Sequence, residues 1–185
     1  MILLKYKLSD IKHRILHLEN PNYQEHKNYL TAMIDRSATE WTFPSWMEIS
    51  TIGLSAFEGF RNLANIIIPD GVTTIGNCAF YGCNSLTSIS MPDSVTRIDG
   101  DAFTACGLTN VTIPSSVTSI GSSVFHYCHY LTDIYMYPTT PPTLGNTNAI
   151  PTTTTIHVPI GSGDSYKTAT NWSSFADKIV EDIEI

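Results

Sequence analysis

The sequence predicts a β-dominated α/β solenoid: a right-handed coil with a parallel β-sheet, a helical N-terminal cap and a short C-terminal cap. Three observations predict it. A unit of about 23 residues recurs in register as Ala38–Asn62, Leu63–Ser85, Leu86–Gly107 and Leu108–Tyr130, and a fifth begins at Leu131 before decaying into a Thr/Pro-rich stretch. Inside each unit, apolar and polar residues alternate up to a proline, as in a half-buried strand ended by a residue that cannot donate to a ladder. The two ends of the chain lose the repeat. A fixed period in this range marks a solenoid, whose units bury their apolar sides only by stacking on one another.

Residues 1–36 read as a helical cap or docking segment, because a solenoid exposes apolar rungs at its ends unless something covers them. Leu8, Ile11, Ile15 and Leu18 fall at helical spacing with Ser9 as a plausible N-cap, Pro21 breaks the pattern, and Tyr23, Leu30, Met33 and Ile34 form a second amphipathic stretch. Residues 37–137 form the repeats. In Leu86–Gly107, Leu86, Ile89 and Met91 point inward, Ser88–Met91 reads as a short strand, and Pro92-Asp93-Ser94 turns the chain. Val95 and Ile98 return to the core as a second short strand, and Ala102-Phe103 drops a large ring inside. Stacking then predicts the ladders Leu63/Leu86/Leu108/Leu131, Ile66/Ile89/Val111/Ile134, Ile52/Ile75/Ile98/Ile120 and Phe57/Phe80/Phe103/Phe125. Residues 138–185 read as an irregular loop (Pro138–Pro151) and a C-terminal cap: a last strand over Thr153–Val158, then short helices over Ser165–Ile179 carrying Tyr166, Trp172 and Phe175.

Charge narrows the partners. Of a net −7, residues 1–36 carry +2 (six bases against four acids) and the rest −9 (four bases against thirteen acids). An acidic repeat body is a poor match for nucleic acid, whose binding rests on phosphate neutralisation. No apolar run is long enough to span a bilayer. At the start of the chain the only apolar run is Ile2–Leu4 and charges follow at once, which is not the pattern of a secretory signal.

Several short motifs invite a chemical reading and lose it once placed on the coil. Cys83, Cys106 and Cys128 share one repeat position and read as a ladder of buried thiols, since three cannot all pair; Phe60 takes that place in the first copy. Cys78, whose counterparts are Ser55, Asp101 and Ser123, reads as an outward free thiol. His13 and His17 have a zinc-compatible spacing without a third ligand, and in His126-Tyr127-Cys128-His129 the cysteine belongs to the core ladder. Gly161-Ser162-Gly163-Asp164-Ser165 lacks the P-loop spacing and lysine, and reads as a turn into a helix capped at Asp164 or Ser165. Asn110-Val111-Thr112 and Asn171-Trp172-Ser173 are formal glycosylation sequons. No catalytic constellation, metal site or cofactor site is expected, and so no enzyme.

The pattern LTxIxxPxxVTxIGxxAFxxC in the second to fourth copies resembles the BspA-like leucine-rich repeat family, and Thr155–Ile179 resembles the C-terminal cap of its Bacteroidetes members; the likeness covers about residues 38–179. The first copy departs from it, with Ala38 at the leucine position and an insertion around Trp46–Glu48. The resemblance implies a leucine-rich-repeat solenoid with a non-enzymatic role at the bacterial cell surface or in secreted form. Adhesion to a host matrix protein, a cell-surface protein or a glycan is the expected activity.

If the first strand of each coil faces outward at alternate positions, its exposed rows are Glu40/Asn65/Ser88/Asn110/Asp133 and Thr42/Ile67/Ser90/Thr112/Tyr135. These ten residues are the candidate protein-binding face. Five strands about 4.8 Å apart and some 20 Å long would give about 480 Å², against about 800 Å² per partner in a standard interface. Weak, multivalent contact or a smaller ligand fits that size. Two other readings stay open: a glycan site using Tyr135, Tyr137 and the Trp41–Trp46 edge, and an assembly role in which the stripe Leu8/Ile11/Ile15/Leu18 makes a homodimer or docks the repeats onto a larger particle.

Overall fold

Each unit of the repeat makes one turn of a stacked coil, and three sides of that turn are hydrogen-bonded to the turns above and below. The structure is a computed structural model and describes residues 29–30, 37, 39–43 and 49–185. The stripe Leu8/Ile11/Ile15/Leu18, the pair His13/His17, Ala38 and the insertion around Trp46–Glu48 lie outside the described residues.

The first side is formed by β2 (Glu40–Trp41), β4 (Asn65–Ile66), β7 (Asn110–Ile113), β9 (Asp133–Met136), β11 (Thr155–Pro159) and β12 (Ile179–Ile183). All the pairings on it are parallel: β2 with β4, then β7, β9, β11 and β12 in order, with Ile67 and Ser90 bridged between. The expected strand over Ser88–Met91 is therefore reduced to a single bridge at Ser90, and the four-residue β7 and β9 are shorter than the 20 Å anticipated.

The second side stacks β1 (Tyr29–Leu30), β3 (Thr51–Ile52), β5 (Thr74–Ile75), β6 (Arg97–Ile98), β8 (Ser119–Ile120) and β10 (Thr143–Leu144), again parallel. Two corrections follow. Tyr29–Leu30, within the segment read as a helical cap, is a strand in register with Thr51 and Ile52. Within 138–151 the chain is not a loop: Thr143–Leu144 pairs with Ser119–Ile120, the Gly145 N–H donates to the Ile120 carbonyl, and the Phe125 N–H donates to the Ala149 carbonyl. The fifth unit thus completes its turn. A glycine follows the inward residue at Ile52, Ile75, Ile120 and Leu144 (Asp99 follows Ile98) and lets the backbones approach, since a Cβ on Gly121 would lie 2.4 Å from the Gly100 nitrogen and one on Gly145 2.4 Å from the Ser122 nitrogen.

The third side is turn-rich but still laddered. The N–H groups of Cys78, Phe80 and Gly82 donate to the carbonyls of Gly100, Ala102 and Thr104, and those of Asp101, Phe103 and Ala105 repeat the pattern one coil on. Each turn contains two left-handed residues, at Ser55/Cys78/Asp101/Ser123 and at Gly59/Gly82/Ala105/Tyr127. Only glycine adopts that conformation without Cβ strain. Ala105→Gly is therefore expected to stabilise the protein by about 0.5–1 kcal/mol, the left-handed relief less the entropy glycine adds to the unfolded chain. A drop in the urea midpoint would contradict this.

All four predicted ladders are buried. The rings of Phe57, Phe80, Phe103 and Phe125 stack nearly parallel with centroids 5.2, 5.2 and 5.7 Å apart. Buried Thr154 continues the leucine ladder, its hydroxyl donating to the Leu131 carbonyl at 2.8 Å. Cys83, Cys106 and Cys128 are buried and free, and each thiol donates to the carbonyl of a Phe in the preceding coil, Phe57, Phe80 and Phe103. Burial pushes the Cys128 thiol up to about 11, so it stays protonated and structural.

The C-terminal cap closes the far end. α1 (Gly163–Thr168) begins after Ser162, not at Asp164 or Ser165, and the Ser162 hydroxyl donates back to the Pro159 carbonyl at 2.6 Å. The Gly163 N–H donates to the Glu181 carboxylate. A 3-10 stretch over Trp172–Lys178 follows, and then β12, a strand beyond the expected helices. Tyr166 and Trp172 meet edge-to-face, and their polar atoms donate to the Pro138 and Pro142 carbonyls at 2.8 and 2.7 Å. The cap thereby fastens the proline-rich coil.

Candidate binding face

The first side of the coil presents the predicted residues. The pairings Glu40–Asn65, Asn110–Asp133, Thr112–Tyr135 and Ile67–Ser90 put eight of the ten in parallel register. Thr42 and Ser88 lie outside the paired positions and are exposed, as are Glu40, Asn65, Ile67, Ser90, Asn110, Thr112 and Tyr135; Asp133 is half-buried. Ile67 is 70% exposed and Tyr135 36%, large side chains on rows otherwise small and polar.

The rows run further than the five strands read from the repeat. Thr155 stands opposite Asp133 and His157 opposite Tyr135, with Val180 opposite His157. The Tyr135 ring stacks on the His157 imidazole, centroids 4.6 Å apart and planes 16° from parallel. His157 Nε2 lies 3.0 Å from Asp133 Oδ1 and Nδ1 lies 2.7 Å from Asp182 Oδ2. Burial pulls the imidazole down, but the hydrogen bonds and charges of Asp133 and Asp182 outweigh it and leave His157 above its ordinary value. The His157 bond first, and the Thr132 hydroxyl second, hold Asp133 below its usual value.

His157 was within reach of the sequence, since alternation through Thr155-Ile156-His157-Val158 puts it in the outward row. Asp182 was not, because nothing in Ile179–Ile183 marks a strand: the burial runs inward only at its two ends. With four-residue strands the face covers seven rungs at about 4.8 Å by about 13 Å, or about 440 Å², still well under a standard half-interface.

Other tempting groups are placed elsewhere. His126 and Tyr127 stack at 3.8 Å on the third side, and Cys128 between Tyr127 and His129 is turned into the core. Among the described residues no group of three or more His, Cys, Asp or Glu side chains is arranged to hold a metal ion. Cys78 is half-buried, and burial first, then Asp101 and Glu58, raises its thiol, which lowers its reactivity. The Asn171 amide donates to the Leu144 carbonyl at 2.6 Å, which ties that sequon into the cap, while Asn110 is exposed. Among the described residues no helix is long and apolar enough to cross a membrane.

Residues 50–152 match the BspA type leucine rich repeat region, in six copies. The chain belongs to that family. The match ends past residue 137, in keeping with the coil completed by Thr143–Leu144. The chain is similar to the crystal structure of a T. pallidum leucine-rich-repeat protein, at 26% identity over 71% of this chain and 63% of that one, with a TM-score of 0.63. It is also similar in fold to the pneumococcal vaccine antigen PcpA, at 18% identity over 86% of this chain and 45% of that one, with a TM-score of 0.65. The chain thus spans less than two-thirds of either structure's length. No curated protein matches the sequence. Leucine-rich-repeat solenoids are interaction scaffolds, and this chain carries that architecture.

Proposed function

We propose that this protein is a non-enzymatic adhesion module at the cell surface, binding a protein partner through the first-side rows. The observation that carries the reading is Ile67: a large apolar side chain 70% exposed in a strand row whose nearest members, Thr42, Ser90 and Thr112, are small and polar. A single exposed apolar residue is ordinary on a soluble surface, so the weight lies on its sharing a row with exposed Tyr135, a residue type enriched at contact points. Tyr135 supplies a second anchor on the same row, further along the stack. The family resemblance supports the surface location.

The small face sets the affinity regime. About 440 Å² supports weak single contacts that become useful when several copies act together. The test is binding of the intact chain, displayed as a tetramer, to a panel of matrix and cell-surface proteins and glycans. Changing Ile67 to Ser and Tyr135 to Ala together is expected to lower tetramer binding at least tenfold, the loss of about 1.4 kcal/mol. Binding unaffected by both changes would remove the strand face from the function. Exposure of Tyr135 and Tyr137 side by side on β9 and its end favours a glycan as the second reading. A signal on the glycan panel alone, abolished by Tyr135→Ala, would establish it.

A further inference from the structure

We infer that Asp133, His157 and Asp182 form a proton-sensitive clasp that holds the last strand, β12, onto the end of the solenoid. The three residues sit on three neighbouring strands, β9, β11 and β12, with the imidazole in the middle and one ring nitrogen facing each carboxylate at 3.0 and 2.7 Å. A neutral imidazole has a single N–H and so can donate to only one of them. Both contacts are satisfied only by the imidazolium, which is therefore the state this geometry fits.

The clasp sits where the sheet needs it. β12 is the terminal strand and, among the described residues, has β11 as its one neighbour in the sheet. The pairing slips after Val158 opposite Glu181, so that Pro159 stands opposite Ile183 and Asp182 is the extra residue of a bulge. Ladder support is weakest at such a point, and Asp182 is the residue that His157 grips. Glu181, next to it, receives the Gly163 N–H, so loosening β12 also loosens the start of α1.

The groups facing His157 are Asp133 and the Tyr135 ring from β9, Asp182 from β12, and uncharged Val180 in register beside it; the Thr132 hydroxyl completes Asp133 at 2.7 Å. The sign follows from these. His157 is raised, so its contribution is full below the ordinary imidazole value and is lost as pH rises through the folded value. Asp133 is lowered, so its contribution is present above the ordinary carboxylate value and is lost as pH falls through the folded value. The clasp is closed from mild acid to near neutrality. Above that window one carboxylate faces a lone pair, and the hold on β12 weakens.

The test is an NMR titration of the intact chain from about pH 5 to pH 9, following the His157 ring and the hydrogen exchange of the β12 amides corrected for intrinsic rate. The expected result is a His157 midpoint above the ordinary value of about 6.5. Protection of β12 should fall about tenfold through that midpoint, the weight of one charge-assisted hydrogen bond, with the Tyr135 ring signals moving alongside. In Asp182→Asn the midpoint drops and the pH-dependent loss of protection disappears, while His157 keeps its contact with Asp133 and the fold. In His157→Gln the pH dependence vanishes as well. A His157 midpoint at or below the ordinary value would overturn the inference. So would β12 protection that ignores the titration, or a pH dependence that survives in Asp182→Asn.

Discussion

Phe103→Ala is expected to lower the unfolding free energy by about 3–5 kcal/mol, the range for deleting a buried aromatic ring and leaving the cavity unfilled. Phe103 is fully buried between Phe80 and Phe125, its ring within 5° of parallel with both. The surrounding backbone cannot collapse into the hole. The Phe103 N–H is held by the Val124 carbonyl, and the Phe80 N–H by the Ala102 carbonyl. Parallel rings more than 5 Å apart are offset, and such pairs add about 0.5–1.5 kcal/mol beyond their area. A double-mutant cycle of Phe80→Ala with Phe103→Ala should therefore return a coupling of that size. Urea unfolding followed by circular dichroism measures both quantities. A loss under about 1 kcal/mol for Phe103→Ala would mean that the stack does not carry the core.

The ladder was legible because burial repeats with the sequence. Ile75, Ile98 and Ile120 occupy one inward position in successive turns, and the same physical demand selects a similar residue each time. Where the demand falls on the backbone, the signal thins. Ser55, Cys78, Asp101 and Ser123 share a left-handed conformation but no side-chain property, so their position reads as variable surface. Gly59 and Gly82 hint at the second left-handed site, and Ala105 and Tyr127 conceal it.

The fifth coil shows how composition can mislead. Prolines and threonines between residues 138 and 151 read as a loop, yet Leu144-Gly145 preserves the inward-residue-then-glycine pair of Ile75-Gly76 and Ile120-Gly121. That pair was enough to keep the second side in register. The candidate face divides the same way. Its rows follow from alternation within a repeat, so the outward residues were identifiable as far as Tyr135. The Asp133–His157–Asp182 grouping needs a strand that returns after two helical segments, and no local pattern announces such a return.

Trp172→Ala is expected to be the other severe substitution, costing about 3–5 kcal/mol, with the damage confined at first to the C-terminal end. Trp172 is fully buried, packs edge-to-face on Tyr166 with centroids 5.1 Å apart, and donates its indole N–H to the Pro142 carbonyl at 2.7 Å. That hydrogen bond helps fix the proline-rich part of the fifth coil, where the strand on the second side, β10, is two residues long. Without the ring, Tyr166 loses its packing partner and the Pro142 carbonyl its donor, and a solenoid whose end cap is loosened unravels from there. Trp172→Phe separates the contributions: it keeps most of the packing and loses the donor, so about 1–1.5 kcal/mol is expected from the bond alone. Because the substitution removes a fluorophore, hydrogen exchange and limited proteolysis are the better probes. Faster exchange and new cleavage should appear beyond residue 137 while the Phe57–Phe125 coils stay protected. Uniform loss of protection along the whole stack would show instead that the coil unfolds as one unit and that the cap has no separate stability.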